Sequence, residues 1–114
     1  MDFNLSKEHQ MARQLFHDFA VKEVEPWAEE TDELHRFPWE AVRKMQKYGF
    51  MGIPFPKEIG GQGCDTLTYI LAVEEIAKIC GTTAVILSAH TSLAADAIYI
   101  NGTDEQKEKF LRPL

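Results

Sequence analysis

Apolar residues recur at intervals of three and four positions through the first part of the chain, which is the spacing of an amphipathic α-helix. Ser6 is the predicted N-cap of the first helix, which should end or kink near Pro26. Residues 27–34 can continue this helix with an acidic outer side. The expected buried side consists of Met11, Ala12, Leu15, Phe16, Phe19, Ala20 and Val24.

The segment 38–55 predicts a short helix followed by a connector. Pro38 suits the first helical turn, and Gly49 should close the helix. Residues 50–55 are apolar and contain Pro54, so we expect an extended buried connector and not a sheet strand. The predicted buried stripe of the helix is Trp39, Val42 and Met45.

Two longer helices are predicted next. Asp65 or Thr66 should cap a helix that has apolar residues on more than one face and is ended by Gly81. Residues 84–100 carry a single formal charge, and a helix that is apolar on all sides belongs at the centre of a soluble fold. Polar side chains near its middle make insertion into a bilayer costly, so we expect no membrane span. These side chains are Ser88, His90, Thr91, Ser92 and Asp96.

The end of the chain predicts one more helix. The sequence TDEQ is a capping box, in which Thr103 and Gln106 satisfy each other's backbone amides. The helix 104–111 should turn Phe110 and Leu111 inward. Taken together, the patterns predict an all-α fold, an orthogonal or up-down bundle of five to six helices around the central apolar helix 84–100.

Composition and charge narrow the possible functions. The 114 residues are 45% hydrophobic and 26% charged, which is typical of one folded globular domain. A net charge of −6 without any basic cluster argues against a nucleic-acid partner. Cys64 and Cys80 lack metal-binding spacing and are expected to be free thiols. Because the start MDFNLSKEHQ lacks the basic and apolar regions of a secretory signal, a cytoplasmic location is expected.

The segment 54–66, PFPKEIGGQGCDT, could be a phosphate cradle or a corner. A dinucleotide-binding glycine motif opens a helix directly after a strand, and a Walker loop needs a Gly-Lys-Ser/Thr ending. The segment has neither feature. We therefore expect Gly60, Gly61 and Gly63 to reverse the chain between two helices.

No residue constellation predicts catalysis. The four histidines include no pair at i, i+4 on one face, so no metal site is expected. His90 is either a hydrogen-bonded core histidine or a residue that faces a ligand. Glu74 and Glu75 lie about 100° apart on a helix and predict a solvated face with one ion pair between helices. No Ser-His-Asp, Cys-His or nucleophile-elbow pattern is present.

Several spaced elements, taken together, match a known family. They are Gly49 and Gly52 before Ile53-Pro54, the corner Gly60-Gly61-x-Gly63, Glu74-Glu75, His90-x-x-Leu93, and Gly102-Thr103 followed by Gln106-Lys107. Through these elements the chain resembles the N-terminal helical domain of the acyl-CoA dehydrogenases. The likeness extends from LSKEHQ to FLRPL, and GTTAVILSAHTSL is most similar to the short-chain, butyryl-CoA type.

The resemblance implies that residues 1–114 are one domain of an FAD-dependent enzyme, with the middle β-domain and the C-terminal helical domain absent from this chain. In such enzymes a glutamate of the C-terminal part removes the α-proton of a fatty acyl-CoA while the β-hydride passes to FAD. Electrons then leave through electron-transferring flavoprotein. We therefore expect no catalytic residue in this chain and no FAD bound by it alone, and a homotetramer for the whole enzyme.

The resemblance also implies one role for this chain, because the family's fifth helix lines the acyl pocket. The matching positions are Ile86, Ala89, His90 and Leu93, which share one helical face. These residues could instead pack only against neighbouring helices.

Two hypotheses about the chain itself follow. It is either the N-terminal domain of such a dehydrogenase or a free-standing helical interaction or acyl-binding module without catalysis. Because the sequence ends directly after a helix without a polar tail, we expect the former.

Overall fold

The computed structural model of the protein describes residues 1–114 and contains helices without any β-strand, which confirms the all-α prediction. Seven α-helical segments, several of them continued by wider π-helical turns, form five rods. The first three rods are α1 (Lys7–Phe19) with a π turn (Ala20–Val24) and α2 (Glu25–Glu33); α3 (Trp39–Lys47); and α4 (Thr66–Ile79). The last two are α5 (Gly81–Ser88) with a π segment (Ala89–Ala95) and α6 (Asp96–Asn101); and α7 (Asp104–Gln106) with a π turn (Lys107–Leu111).

The first rod begins at the predicted cap, since the Ser6 side chain accepts a hydrogen bond from the amide of His9. It does not end at Pro26. The chain instead forms the π turn just before Pro26, and the helix continues to Glu33. Of the predicted buried side, Phe16, Phe19, Ala20 and Val24 are buried, whereas Met11 and Leu15 are exposed.

The core lies where α1, α4 and α5 pack together. Met45, Ile76 and Leu87 are fully buried there. The rings of Phe16 and Phe19 lie 5.3 and 4.4 Å from the ring of Phe50, measured between centroids. Rings at these distances add to the free energy of apolar burial. The core therefore joins the first rod to the two longest later ones.

The connector after α3 is buried, as predicted, but it is not extended. Phe50–Gly52 forms a 3-10 turn, and Phe55 donates its amide proton to the carbonyl of Gly52. Tight turns of this kind let a buried segment satisfy its own backbone amides without a neighbouring strand.

Predicted helix boundaries are confirmed at two further caps. Asp65 caps α4 by accepting a hydrogen bond from the amide of Thr68, and the capping box of Thr103 and Gln106 is complete. Gly81 does not end α4, because Cys80 already has an extended backbone and Gly81 begins the next helix.

Some apolar residues lie on the surface although their spacing predicted burial. Trp39 and Phe110 are exposed, while Leu111 is buried. Trp39 instead stacks beside Phe37, with ring centroids 4.6 Å apart, and under the guanidinium of Arg43. No element of the chain covers these two sides.

The helix Gly81–Asn101 differs from the expectation in its position. It is not surrounded by other helices, since only 28% of its most apolar window is buried. α4 covers one side, and the remaining three rods of this chain leave the opposite side open. Its length and mean hydropathy of 1.3 would allow it to cross a bilayer, but one such helix is weak evidence for a membrane span.

Candidate functional site

The uncovered side of the helix Gly81–Asn101 is the largest functional candidate of the fold. Leu87 on its inner side is fully buried, whereas Val85, Leu93 and Ile100 on other sides have exposed fractions of 66%, 71% and 69%. Large aliphatic side chains exposed along one helix, next to a buried face, are typical of a surface that another part of a protein or a ligand covers. We call this surface the open face.

The four residues of the predicted acyl-pocket wall do not have the same surroundings. Ile86 is half-buried and packs against the main core. Ala89 and His90 are also half-buried, and Leu93 is exposed. Of the four residues, His90 lines one of the main cavities of the fold, and that cavity does not include the other three. Whether they form an acyl-pocket wall therefore stays a prediction.

His90 lies at the edge of a cavity of about 290 Å³ that is also lined by Gly52, Gly61, Leu111 and Arg112. Its Nε2 atom is buried and has no hydrogen-bond partner. Burial lowers the pKa of His90 because the charged imidazolium would lose its solvation, and the nearby backbone of Leu114 opposes this shift in part. A neutral imidazole with one free nitrogen is the result.

The glycine segment is a corner, as predicted, and it does not fit a flavin diphosphate. Gly60 and Gly63 have φ angles of 93° and 69°, and a Cβ on Gly61 would overlap the carbonyl of Phe55. The amides that a phosphate would need are already used. The amides of Gly61, Gln62, Gly63 and Cys64 donate to the carbonyls of Pro56, Gly52, Phe55 and Ile53.

Glu75 is the most buried ionisable side chain, with an exposed fraction of 3%. Its carboxylate lies 3.1 Å from Arg13 Nε, 2.7 Å from Lys78 Nζ and 3.4 Å from His17 Nδ1. Burial alone raises the pKa of Glu75, but the hydrogen bond and positive charge of Lys78, with the hydrogen bonds of His17 and Arg13, outweigh it and hold the pKa below its ordinary value. The predicted ion pair between helices is confirmed, and the cluster joins α1 to α4.

Glu74, in contrast, lies on the solvated face of the helix, as predicted. Its carboxylate is exposed and shares Arg13 with Glu75, with an Nη2–Oε1 distance of 3.2 Å. The two adjacent acids therefore have different environments, and neither geometry resembles an acid and base pair around a reacting atom.

Three residues that sequence reasoning did not connect form a chain of hydrogen bonds. His9 Nδ1 lies 2.6 Å from Ser6 Oγ, and His9 Nε2 lies 2.8 Å from Asp65 Oδ2. The Thr68 hydroxyl and amide, followed by His9, lower the pKa of Asp65 to about 2. Ser6 and Asp65 each cap a helix, so the arrangement ties together the starts of α1 and α4. His9 and Asp65 are 56 positions apart, which leaves no sequence signal for this contact.

The fold and the open face define a class: an all-helical domain with an apolar face that another segment or a ligand can cover. The family model described as "Acyl-CoA dehydrogenase, N-terminal domain" matches residues 6–114. The chain therefore belongs to the acyl-CoA dehydrogenase N-terminal domain family.

Similar proteins narrow this assignment. The chain is 60% identical over its full length to "Acyl-CoA dehydrogenase, short-chain specific" from Clostridium acetobutylicum, of which it spans 30%. It superimposes on butyryl-CoA dehydrogenase from Megasphaera elsdenii with a TM-score of 0.89 and 42% identity, over 99% of this chain and 30% of that one.

A second solved structure is described as "Electron transferring flavoprotein of Acidaminococcus fermentans: Towards a mechanism of flavin-based electron bifurcation". It contains a chain that matches with a TM-score of 0.93 and 48% identity, over 99% of this chain and 30% of that one. The chain thus spans about 30% of the length of the proteins it matches.

Proposed function

We propose that the chain is the N-terminal domain of a flavin-dependent dehydrogenase for short-chain fatty acyl-CoA. In this proposal the helix Gly81–Asn101 forms one wall of the acyl pocket through Ile86, Ala89, His90 and Leu93, of which Leu93 belongs to the open face. The alternative, a free-standing acyl-binding or interaction module, has no observation of its own in its favour.

The observation that carries the proposal is the pairing of a buried side with an apolar outer side on one helix. Leu87 is fully buried and fixes the helix to the core, whereas Leu93 has an exposed fraction of 71%. A wall for a ligand has to meet both requirements, since it needs a rigid support and a free apolar surface. The 60% identity to a short-chain-specific relative points to the substrate class.

The residues of this chain would bind the acyl group and shield it from water, but they would not take part in the reaction. Aliphatic side chains at the open face would bind acyl methylene groups at about 0.8 kcal/mol each and keep water from the reacting carbons. The bulk of Leu93 and Ile86 would limit the length of the acyl chain. The imidazole of His90, which burial keeps neutral, would add no charge to this wall.

FAD would supply the hydride acceptor in the complete enzyme. The corner at Gly60–Gly63 does not fit the diphosphate of FAD, so FAD would bind to the rest of the polypeptide. The residues of this chain would take no part in the chemical step. Electron-transferring flavoprotein is the proposed electron acceptor, and the match to a structure described by that name supports it.

A homotetramer and a cytoplasmic location complete the proposal, and neither a nucleic acid nor a membrane is part of it. The two free cysteines fit a reducing compartment.

The proposal is tested by the substitution Leu93→Ala in the complete flavin-loaded enzyme. Removing this side chain should open space for two further methylene groups, which corresponds to about a tenfold gain in kcat/KM for hexanoyl-CoA relative to butyryl-CoA. Steady-state kinetics with both substrates measure this ratio.

The matched control is Leu67→Ala, because Leu67 is also an exposed leucine but lies on α4. Its ratio should equal that of the unaltered enzyme. An unchanged ratio in Leu93→Ala would show that the open face is not part of the acyl pocket. If the unaltered enzyme is inactive with every acyl-CoA, the proposed activity itself is refuted.

A further inference from the structure

A second cavity lies on the same helix as the proposed acyl wall, and several of the side chains that line it carry oxygen atoms. It has a volume of about 290 Å³ and lies between α4, the connector after α3 and the π segment. Its polar lining includes the hydroxyls of Thr66, Tyr69, Thr91 and Ser92 and the carboxylate of Asp96. One water takes up about 30 Å³ in the liquid, so the cavity has room for a small organic group.

Thr91 points to a missing ligand in this cavity. It has an exposed fraction of 2%, and its Oγ1 is buried without a hydrogen-bond partner. A threonine hydroxyl in a helix normally donates to the carbonyl three or four residues earlier. Thr31 does so, at 2.9 Å from the Trp27 carbonyl and 3.0 Å from the Ala28 carbonyl. Leaving such a buried hydroxyl unpaired is unfavourable, and a ligand atom would supply the missing hydrogen bond.

Asp96 is the second unpaired group. Among the acidic side chains that are not exposed, Glu23, Glu40 and Glu75 all take part in ion pairs, and only Asp96 does not. Its side chain also makes no hydrogen bond within the chain. Its carboxylate is therefore free to pair with a cation that enters the cavity.

The π segment brings these two groups together. The amide of Asp96 donates to the carbonyl of Thr91, five residues earlier. In an ordinary α-helix two residues five positions apart face different sides, whereas a π turn places them closer to one side. Next to them, the Tyr69 hydroxyl and Ser92 Oγ lie 2.8 Å apart and form a second polar edge.

We propose that this cavity binds a compact organic cation, an ammonium or guanidinium group. The carboxylate of Asp96 would pair with its charge, and the hydroxyl oxygens of Thr91 and Ser92 would accept its remaining N–H groups. The lining contains no cationic side chain, so an anion would meet the Asp96 charge without compensation. Lys107 lies close to the cavity, since its ammonium is 5.2 Å from the centroid of the Tyr99 ring, but it forms no ion pair with Asp96.

The site is tested by NMR titration of the 114-residue chain with methylguanidinium chloride. We expect saturable chemical-shift changes at the Thr91, Asp96 and Tyr69 signals. The dissociation constant should be at least about tenfold higher in Asp96→Asn. Thr91→Val should weaken binding by a smaller factor. The matched control is Asp18→Asn, an exposed acid on α1, which should bind like the unaltered chain. Thermal melts verify that each variant is folded.

N-Methylurea, which has nearly the same shape without the charge, should not bind. Equal binding of N-methylurea, equal binding by Asp96→Asn, or no saturable shift would each overturn the proposal, and the last result would leave the cavity to water. Titration with a Gly-Arg-Gly peptide that is blocked at both ends tests whether the cation belongs to a polypeptide or to a free molecule. Tighter binding of the peptide than of methylguanidinium would assign the site to a side chain of another polypeptide segment, and weaker binding would assign it to a free molecule.

Discussion

The substitution Glu75→Gln tests how the first rod is attached to α4. The carboxylate of Glu75 is buried, with Lys78 Nζ at 2.7 Å and Arg13 Nε at 3.1 Å. Glutamine keeps the shape of the side chain but removes its charge. Arg13 and Lys78 both donate to Oε1, which glutamine keeps, so these two hydrogen bonds lose their charged acceptor but not their geometry. The amide that replaces Oε2 places a donor opposite His17 Nδ1.

The expected loss of unfolding free energy depends on how deeply Glu75 and its two cationic partners are buried. Removing one partner of a fully buried ion pair costs about 3–5 kcal/mol, because the remaining charge is left without solvent. Here Arg13 and Lys78 have side-chain exposed fractions of 40% and 51% and can turn to water. We therefore expect a smaller loss, about 1–3 kcal/mol of unfolding free energy, close to that of one or two hydrogen bonds to a charged group.

The pH dependence gives a second readout. The pKa of Glu75 is lower in the folded chain than the ordinary value near 4.3. The unfolded chain therefore binds the proton more readily, so this stabilisation is present above the ordinary pKa and is lost as the pH falls through the folded pKa. Urea unfolding followed by circular dichroism from pH 7 to pH 3 should show a weaker loss of stability on acidification in Glu75→Gln.

Glu74→Gln is the control, because Glu74 is exposed and shares Arg13. A surface pair of this kind contributes about 0–1 kcal/mol. The reasoning is refuted if the two variants have the same unfolding free energy at pH 7, or if Glu75→Gln keeps the acid dependence of the unaltered chain.

Two further predictions concern packing and the corner, and both are measured by the same unfolding experiment. Leu87→Ala removes a fully buried side chain and should lower the unfolding free energy by about 2–5 kcal/mol. Leu93→Ala on the same helix should change it by less than about 0.5 kcal/mol, because Leu93 is exposed. Similar losses in the two variants would contradict the assigned helix orientation. Gly61→Ala should prevent stable folding because its Cβ would overlap the Phe55 carbonyl, whereas Gly81→Ala, where the space is open, should be neutral or stabilising by up to about 1 kcal/mol. A folded Gly61→Ala chain would refute the described corner.

Local features of the fold could be predicted from the sequence because they depend on atoms a few positions apart. Ser6, Asp65 and Thr103 each accept a hydrogen bond from an amide three residues later, and each was predicted as a helix cap or as one of two neighbouring candidates. The corner was also predictable, since two prolines and three glycines in a short segment exclude a continuous helix.

The candidate site could be predicted only in part. The family resemblance pointed to one side of the helix 84–100, and the structure shows an apolar open face on that helix. Spacing could not show that Leu93 is exposed while Ile86 packs against the core. The pairing of Thr91 with Asp96 was equally hidden, because it depends on a π turn that has no recognised sequence signal.

The sequence by itself determined the all-α class, the helix caps, the corner and the family to which the chain belongs. Each of these depends on short-range hydrogen bonds, on backbone sterics or on matching residues at many positions. Only the tertiary structure decided which side of each apolar helix is covered, which acids find cations and which hydroxyl stays unpaired. Burial and ion pairing depend on neighbours that lie far apart in the chain, and the period of a helix records where its apolar residues are but not what packs against them.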